Sequence, residues 1–186
     1  MKSHIVNIFI GLSLLSSLAY SQSTESTKST EEYKTVEVKN FSLKSTDGET
    51  VSLSDYKGRF VVIHIATTWC PYCNAEAPYL EEIYKAYHDK NVAVLIIDVK
   101  EPKELVEERI KNRFNLSFPV LLDTDGKVAA SFAPADVLPE LARDEIMLAS
   151  NFLIDPEGKI QFMSLLDTKN FDVKLVHLKE RLDELL

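Results

Sequence analysis

Two uninterrupted apolar runs constrain this 186-residue chain more than any other feature of its sequence. The run FVVIHIA spans 60–66, the run VAVLIIDV spans 92–99, and both are rich in β-branched residues. Continuous runs of this kind are typical of strands that are covered on both faces. The segment between them has apolar residues at helical spacing, namely Ala77, Leu80, Ile83, Tyr84 and Tyr87. We therefore expect two buried strands with a helix between them.

Shorter segments complete the predicted sheet. The segments 38–45 and 50–53 flank an Asp-Gly turn and predict a β-hairpin at the start of the domain. The segment 119–123 predicts a further strand, and 151–155 with 160–165 predicts a second hairpin around a Pro-Glu-Gly turn. These strands add to the two buried ones and make a sheet of several strands.

Helices are predicted on either side of these later strands. One begins near Pro102, and its apolar residues are Leu105, Val106, Ile110 and Phe114. The closing sequence 171–186 carries one apolar stripe, formed by Phe171, Leu175, Leu178, Leu182 and Leu185. The segment 133–147 predicts a loop with a short helix. The alternation of strands and helices predicts an α/β fold with a central mixed β-sheet flanked by helices and an N-terminal β-hairpin.

The start of the chain predicts export. A charged beginning, the apolar run 5–18 and small residues after it predict a signal peptide over 1–21. A bilayer span needs about 20 apolar residues, so an uncleaved membrane anchor is the alternative. The polar segment 22–33 predicts a tether, which leaves 34–186 as one domain. We therefore expect a periplasmic location, which is an oxidising compartment in which a disulfide can persist.

The charge of the chain excludes some partners. Its formal net charge is −8, and no cluster of basic residues occurs. This balance argues against nucleic acid and against an anionic membrane surface as the partner.

The only two cysteines, Cys70 and Cys73, lie where a predicted strand passes into a predicted helix. A disulfide between them would close a four-residue loop, worth only about 2 kcal/mol in the chain-entropy model against about 3 for a 15-residue loop. A zinc site would need two further ligands, and His64, His88 and His177 show no paired ligand spacing, so we expect no metal and no cofactor. The start of a helix stabilises a thiolate, which is the species that attacks a disulfide. The position of the two cysteines at the start of a helix therefore favours a reactive thiol over a structural disulfide or a metal site.

The chain resembles a known family through an ordered set of motifs. These are the first hairpin, the glycine-led strand, the Trp-Cys-x-x-Cys motif, FPVLLD and FLIDPEGKI. Together they resemble the extracytoplasmic thiol-disulfide oxidoreductases of the TlpA and ResA type, in the thioredoxin superfamily and related to AhpC/TSA proteins. The resemblance implies a thioredoxin-like fold and reduction of disulfides in exported proteins. It also implies partners, which are exported proteins with disulfides or thiols and a redox partner that recharges the cysteine pair.

The resemblance assigns roles to the cysteine motif. Cys70 is similar to the exposed nucleophile of the family, and Cys73 to the resolving cysteine behind it. Pro71 and Tyr72 lie between them and help to set the reduction potential. Trp69 is expected to shield the site, and the alternative is a core aromatic residue.

Two further residues are candidate proton carriers. Glu101 matches a glutamate that the family places beside the cysteine pair, where it can exchange protons with the thiols. The alternative for Glu101 is an acid in the first turn of a helix, favoured by the helix dipole. His64 takes the position of a buried aspartate under the disulfide of thioredoxins, where it could accept the proton of Cys73. The alternative for His64 is a hydrogen-bonded core residue.

Ala149 departs from the family pattern. The family has a cis-proline at this position, facing the cysteine pair and helping to dock substrate chains. A cis bond before a residue other than proline costs about 3 kcal/mol, so we predict a trans bond and a remodelled loop beside Cys70. Ala149 is therefore a candidate substrate-binding residue with altered properties, and the segment 133–147 is expected to extend the same edge.

Two alternative functions remain open. A peroxiredoxin-like peroxidase with antioxidant activity would need Pro and Thr seven and three residues before the cysteine. Thr67 fits, but Ile63 replaces the proline and Ala149 stands where an arginine is expected, so nothing evident polarises a peroxide. The other alternative is a non-catalytic binding module whose thiols sense redox state.

Overall fold

The structure is a computed structural model that describes residues 37–186, and the predicted signal peptide and tether lie outside the described residues. The strands are β1 (Ser42–Ser45), β2 (Thr50–Ser52), β3 (Phe60–Ala66), β4 (Val92–Val99), β5 (Val120–Asp123), β6 (Ser150–Ile154) and β7 (Ile160–Ser164). The helices are α1 (Pro71–Tyr87), α2 (Lys103–Val106, continued by a π-helical segment Glu107–Asn112), α3 (Lys127–Ser131) and α4 (Val176–Leu185). Short 3-10 segments occupy Leu53–Tyr56, His88–Lys90 and Glu145–Met147. No helix in this part of the chain combines the length and the apolar character needed to cross a bilayer.

The seven strands form one mixed sheet in the order β2-β1-β5-β4-β3-β6-β7. The three central strands β3, β4 and β5 are parallel, and β1 and β6 join their two sides in antiparallel orientation. The register pairs Phe60 with Val92 and Ala66 with Asp98, so β3 and β4 end at the same edge of the sheet. The α/β prediction is therefore confirmed, with the N-terminal hairpin β1–β2 and the central strand at 60–66.

Helices cover both faces of the sheet. On one face, Val62 and Ala66 of β3 belong to the core that also contains Leu80 of α1 and Leu178 of α4. On the other face, Ile63 packs in a core that contains Ala129 of α3. Because side chains alternate along a strand, His64 points to the face that carries α1. This face also carries the two cysteines.

The C-terminal helix is shorter than the sequence predicted. We expected one helix over 171–186, but α4 begins only at Val176. Leu175 has a positive φ of 54°, and the backbone N–H of His177 donates a hydrogen bond to Asp172 Oδ2 at 2.9 Å. The left-handed residue and this hydrogen bond mark the start of the helix. Phe171 lies outside the helix and packs edge-on against Tyr72, with ring centroids 4.9 Å apart.

Candidate active site

Cys70 and Cys73 form a disulfide at the N-terminus of α1, with their Cα atoms 5.3 Å apart. Cys70 is the N-cap residue, Pro71 follows it in the first turn, and the backbone N–H of Cys73 donates to Cys70 Sγ at 3.2 Å. Proline suits this position because the first N–H groups of a helix have no partner inside the helix. After reduction, the same N–H group and the helix dipole would stabilise a thiolate on Cys70.

The prediction that Cys70 is exposed is wrong for this disulfide form. Only 4% of Cys70 is exposed, and Cys73 is also buried. The physical reason is packing, since both cysteines belong to the same buried cluster as Ala149 and Leu175. In contrast to the two cysteines, Trp69 is largely exposed to solvent, with 68% of its surface accessible. The alternative that Trp69 is a core aromatic residue is therefore also wrong.

Ala149 has the trans peptide bond that the sequence predicted, because no bond within residues 37–186 is cis. Its φ is 59°, in the left-handed region, and its N–H donates to the carbonyl oxygen of Ile65 at 2.9 Å. This hydrogen bond extends the pairing of β3 and β6 by one residue beyond Ser150. Proline has no N–H, so this hydrogen bond is available only because proline is absent.

Ala149→Pro is expected to lower the free energy of unfolding of the oxidised protein by about 2 kcal/mol or more, since proline lacks the donor and cannot adopt a positive φ. Urea denaturation measures the loss. Ala149→Gly is the matched control, because glycine keeps the N–H and accepts the left-handed conformation. Equal stabilities of the proline and glycine variants would contradict the role of this backbone conformation.

His64, Asn151 and Glu76 form a buried chain of hydrogen bonds across β3, β6 and α1. His64 Nδ1 lies 2.9 Å from Asn151 Oδ1, and Asn151 Nδ2 donates to Glu76 Oε1 at 3.0 Å. Because the amide oxygen can only accept, His64 Nδ1 must carry the proton and Nε2 must be the free acceptor. Nε2 is buried without a partner among the described residues, and the His64 ring and Cys73 line the same gap, which is too small for a water molecule.

Burial keeps both His64 and Glu76 uncharged at neutral pH. It lowers the pKa of His64 to about 4, although the hydrogen bond with Asn151 opposes the change. Burial raises the pKa of Glu76 to about 8, against the hydrogen bond from Asn151, and the negative charge of Asp172 adds to the rise. Glu76 Oε2 is 3.5 Å from His64 Nδ1, but with these pKa values the contact is not an ion pair at neutral pH.

Glu101 lies against the loop that leads to the cysteines. The backbone N–H and the hydroxyl of Thr68 both donate to its carboxylate, and Thr68 precedes Cys70 by two residues. Glu101 also stands just before α2, which begins at Lys103. Its position is therefore compatible both with the implied role beside the cysteine pair and with the alternative near the start of a helix.

Two buried acids of the site were missed by the sequence analysis. Glu76 follows Cys73 by one turn of α1, and Asp98 is fully buried at the end of β4. Burial, the negative charge of Glu101 and a hydrogen bond with Glu101 together raise the pKa of Asp98 to about 9, and burial contributes most. The signal for Asp98 was its position as the one charged residue in VAVLIIDV.

Two cavities flank the cysteine motif. One, of about 390 Å³, is lined by Glu76, Ala149, Phe171 and Asp172 among others. The other, of about 160 Å³, is lined by Trp69, Glu101, Lys100 and Asp144 among others. Of the predicted substrate-binding residues, Ala149 lines the first cavity and Trp69 the second, while Pro71 and Tyr72 lie in the first turn of α1.

The AhpC/TSA family model matches residues 35–163. The chain belongs to the AhpC/TSA family. The thiol-disulfide oxidoreductase ResA of Bacillus subtilis (strain 168) is 37% identical over 121 residues, which cover 65% of this chain and 61% of ResA. The chain thus spans less than two thirds of the length of the curated ResA proteins that it matches.

Solved structures share the fold of this chain. A secreted disulfide oxidoreductase of Mycobacterium tuberculosis, homologous to E. coli DsbE, superposes with a TM-score of 0.62 at 21% identity, covering 77% of this chain and 95% of that one. The thioredoxin domain of a thiol-disulfide oxidoreductase from Bacteroides vulgatus gives 0.57 at 20% identity, covering 78% and 94%. At these identities the similarity shows the fold alone, and this fold is thioredoxin-like, as the resemblance implied.

Proposed function

We propose that this protein is a thiol-disulfide oxidoreductase that reduces disulfides in exported proteins, with Cys70 and Cys73 as its redox pair. The observation that carries the proposal is the disulfide at a helix N-terminus, where the N–H of Cys73 contacts Cys70 Sγ. Similarity to ResA, which is named a thiol-disulfide oxidoreductase, supports it. Family membership alone would also allow peroxide chemistry, but the side chain at Ala149 carries no charge that could bind a peroxide.

The reaction proceeds in two exchanges. The thiolate of Cys70 attacks a substrate disulfide, forms a mixed disulfide and releases one substrate sulfur as a thiolate. Cys73 then attacks Cys70 Sγ, which closes the Cys70–Cys73 disulfide and releases the second substrate sulfur. Two electrons have passed to the substrate, and a redox partner must return two electrons to the pair. Trp69, Pro71, Tyr72 and Ala149 surround the site of exchange and are proposed to contact the substrate.

His64 and Glu76 are proposed to serve the second exchange. The free Nε2 of His64 can accept a hydrogen bond from the thiol of Cys73, which orients this thiol toward Cys70. Glu76, one turn after Cys73, has a pKa of about 8, close to that of a thiol, so it suits the exchange of a proton with the pair. Glu101 is proposed to act at the side of Cys70, through its contact with Thr68.

His64→Asn is expected to slow the release of mixed disulfides about tenfold and to change the pH profile of reduction, because Cys73 loses its acceptor. Stopped-flow measurement with a protein disulfide gives both quantities. His88→Asn is the control, since His88 is exposed and bonds only to Tyr84 and Asp89 near the surface. An unchanged pH profile in His64→Asn would rule out this role and leave His64 as a core residue.

The polar and apolar segments at the start of the chain bear on the cellular location of the protein. We propose that residues 1–21 are a signal peptide, that 22–33 form a tether and that 34–186 act in the periplasm. The apolar run 5–18 supports export, and one structural relative is described as secreted. N-terminal sequencing of the protein recovered from cells tests cleavage after Ser21. An intact N-terminus in a membrane fraction would instead support an uncleaved anchor.

The reduction potential of the Cys70–Cys73 pair tests the proposed activity. Purified protein is equilibrated with defined thiol buffers, and free thiols are counted after alkylation. A value near or below about −250 mV supports a reductase, while a value of about −120 to −180 mV supports an oxidant or isomerase. A folded protein whose pair does not equilibrate at all would contradict the proposal and favour the binding module.

A further inference from the structure

Asp98 is a fully buried acid without a cation. Neither of its carboxyl oxygens has a hydrogen-bond donor within residues 37–186. The register places it between Ala66 of β3 and Leu122 of β5, and strand alternation turns it to the face that carries α1. No ion pair in the described part of the chain involves Asp98 or Glu101. Such a group is costly to bury in its charged form.

The charged and titratable groups around Asp98 are few. On β3, His64 lies on the same face two residues before Ala66, and on α1 the cysteines and Glu76 face the sheet. On β5, Asp123 follows Leu122 on the other face and accepts a hydrogen bond from Ala129 N–H. Lys100 is turned away and pairs with Asp144 at 2.6 Å. Glu101 is therefore the group that acts on Asp98 most directly.

Glu101 connects Asp98 to the cysteine loop. A positive φ of 60° at Lys100 reverses the chain between the two acids. Two carboxyl groups can hydrogen-bond only when one of them holds a proton, and burial favours the proton on Asp98. Glu101 in turn accepts from the N–H and the hydroxyl of Thr68. The series Asp98, Glu101, Thr68 ends two residues from Cys70 and reaches the cavity that Trp69 lines.

We propose that Asp98 is a positioning residue that holds a proton for Glu101, and that the two carboxyl groups together protonate the thiolate that leaves when Cys70 attacks a substrate disulfide. The inference rests on the proposed function and deepens it for the same site. In this step the substrate S–S bond breaks and the Cys70–substrate S–S bond forms. The leaving sulfur takes the electron pair of the broken bond and accepts a proton from Glu101. Asp98 passes its proton to Glu101, and solvent later returns one proton to the pair.

The chemistry requires an acid that is still protonated at neutral pH. An ordinary carboxyl group, with a pKa of about 4, has no proton to give at pH 7, whereas a cysteine thiolate binds its proton with a pKa of about 8.5. A donor is most effective when its pKa is near that of the acceptor and near the working pH. The buried pair meets this condition because Asp98 keeps its proton up to about pH 9.

The variant Asp98→Asn tests proton transfer while it preserves the packing of the side chain. The amide can still donate a hydrogen bond to Glu101, but it has no acid proton to transfer. The variant is compared with the unmodified protein in the reduction of two probes at pH 7. Glutathione disulfide releases a thiolate that needs a proton, and the aromatic disulfide dithiobis(nitrobenzoate) releases a thiolate that is stable without one. We expect the variant to reduce glutathione disulfide about tenfold more slowly and the aromatic probe at an unchanged rate.

Asp123→Asn is the matched control, because Asp123 is also buried at the end of a strand but on the opposite face. It should leave both rates unchanged. The effect of Asp98→Asn should fade above about pH 9, where the unmodified pair has lost its proton. Equal slowing of both probes, or no slowing of either, would overturn the role of Asp98. If the unmodified protein reduced neither probe, the proposed function itself would fail together with this inference.

A second measurement covers the case in which Asp98→Asn does not fold. Combining Glu76→Gln with Asp123→Asn removes the two other buried acids with raised pKa values, so the infrared spectrum of this oxidised double variant reports on Asp98. A protonated carboxyl band is expected at pH 7 and should disappear near pH 9. A spectrum without such a band at pH 7 would overturn the proposal.

Discussion

The oxidised protein is expected to become less stable as the pH rises from about 5 to about 9, because two buried carboxyl groups must ionise in the folded state. The pKa of Asp98 rises from 3.8 to about 9 on folding, and that of Glu76 from 4.5 to about 8. In this window these two acids bind protons in the folded state and not in the unfolded state, so the stability that they give below pH 4 is lost as the pH rises through their folded values. The lowered pKa of His64 acts in the opposite direction below about pH 6.5, but it involves one proton against two. At 1.36 kcal/mol per pKa unit, the loss amounts to several kcal/mol.

Asp98→Asn should therefore raise the free energy of unfolding at pH 8 by about 3 kcal/mol and flatten its dependence on pH. Urea denaturation of the oxidised protein at several pH values measures both effects. Together with the expected slower reduction of glutathione disulfide, the result would show that Asp98 lowers the stability of the protein while it speeds the reaction.

Glu81→Gln is the matched control for this experiment. Glu81 is a buried acid of α1, like Glu76, but its environment differs. Burial alone would raise its pKa, yet hydrogen bonds from Ser117 and the nearby Lys85 lower it. Its contribution is present at neutral pH and is lost as the pH falls through its lowered pKa, so Glu81→Gln should destabilise the protein at pH 8. A stability that does not fall between pH 5 and pH 9 would contradict the protonated state of Asp98 and Glu76.

Trapping experiments should give the largest functional effect. In Cys73→Ala, the mixed disulfide through Cys70 has no internal thiol to resolve it, so it should persist and link the protein to its substrates. Cys70→Ser should form no such adducts and should lose reduction by at least about a thousandfold, since the buried Cys73 is then the one cysteine left and no redox pair can form. Non-reducing electrophoresis followed by mass spectrometry detects the adducts.

The same variants separate the alternative functions. A binding module would retain its partner even as Cys70→Ser, and it would form no covalent adducts as Cys73→Ala. A peroxidase would consume hydrogen peroxide at the expense of the Cys70 thiol. Peroxide consumption without mixed disulfides would therefore contradict the proposed oxidoreductase.

Much of the architecture could be predicted because the buried strands are continuous apolar runs. The predicted bounds 60–66 and 92–99 match β3 and β4, since every residue of such a run can be buried between two layers of helices. The helix α1 was also readable, because the residues after Cys70 have apolar side chains at helical spacing. Local sequence determines these features almost alone.

The remaining features depend on contacts between distant segments. The burial of Cys70 follows from packing with Ala149 and Leu175, which lie far away in the chain. The late start of α4 depends on the left-handed conformation of Leu175, which a helical apolar stripe does not reveal. The raised pKa of Asp98 arises because β3 and β5 enclose it, whereas an acid in a sequence is by default taken to face water.

The contact between Phe171 and Tyr72 has a kinetic consequence. It joins the segment before α4 to the cysteine motif while Cys70 has only 4% of its surface exposed. Under the proposed function, an electron donor that approaches the disulfide from the side of these two rings must displace them. For such a donor, the opening rate of this segment sets a ceiling on recharging, and adding more donor beyond that point cannot make the cycle faster.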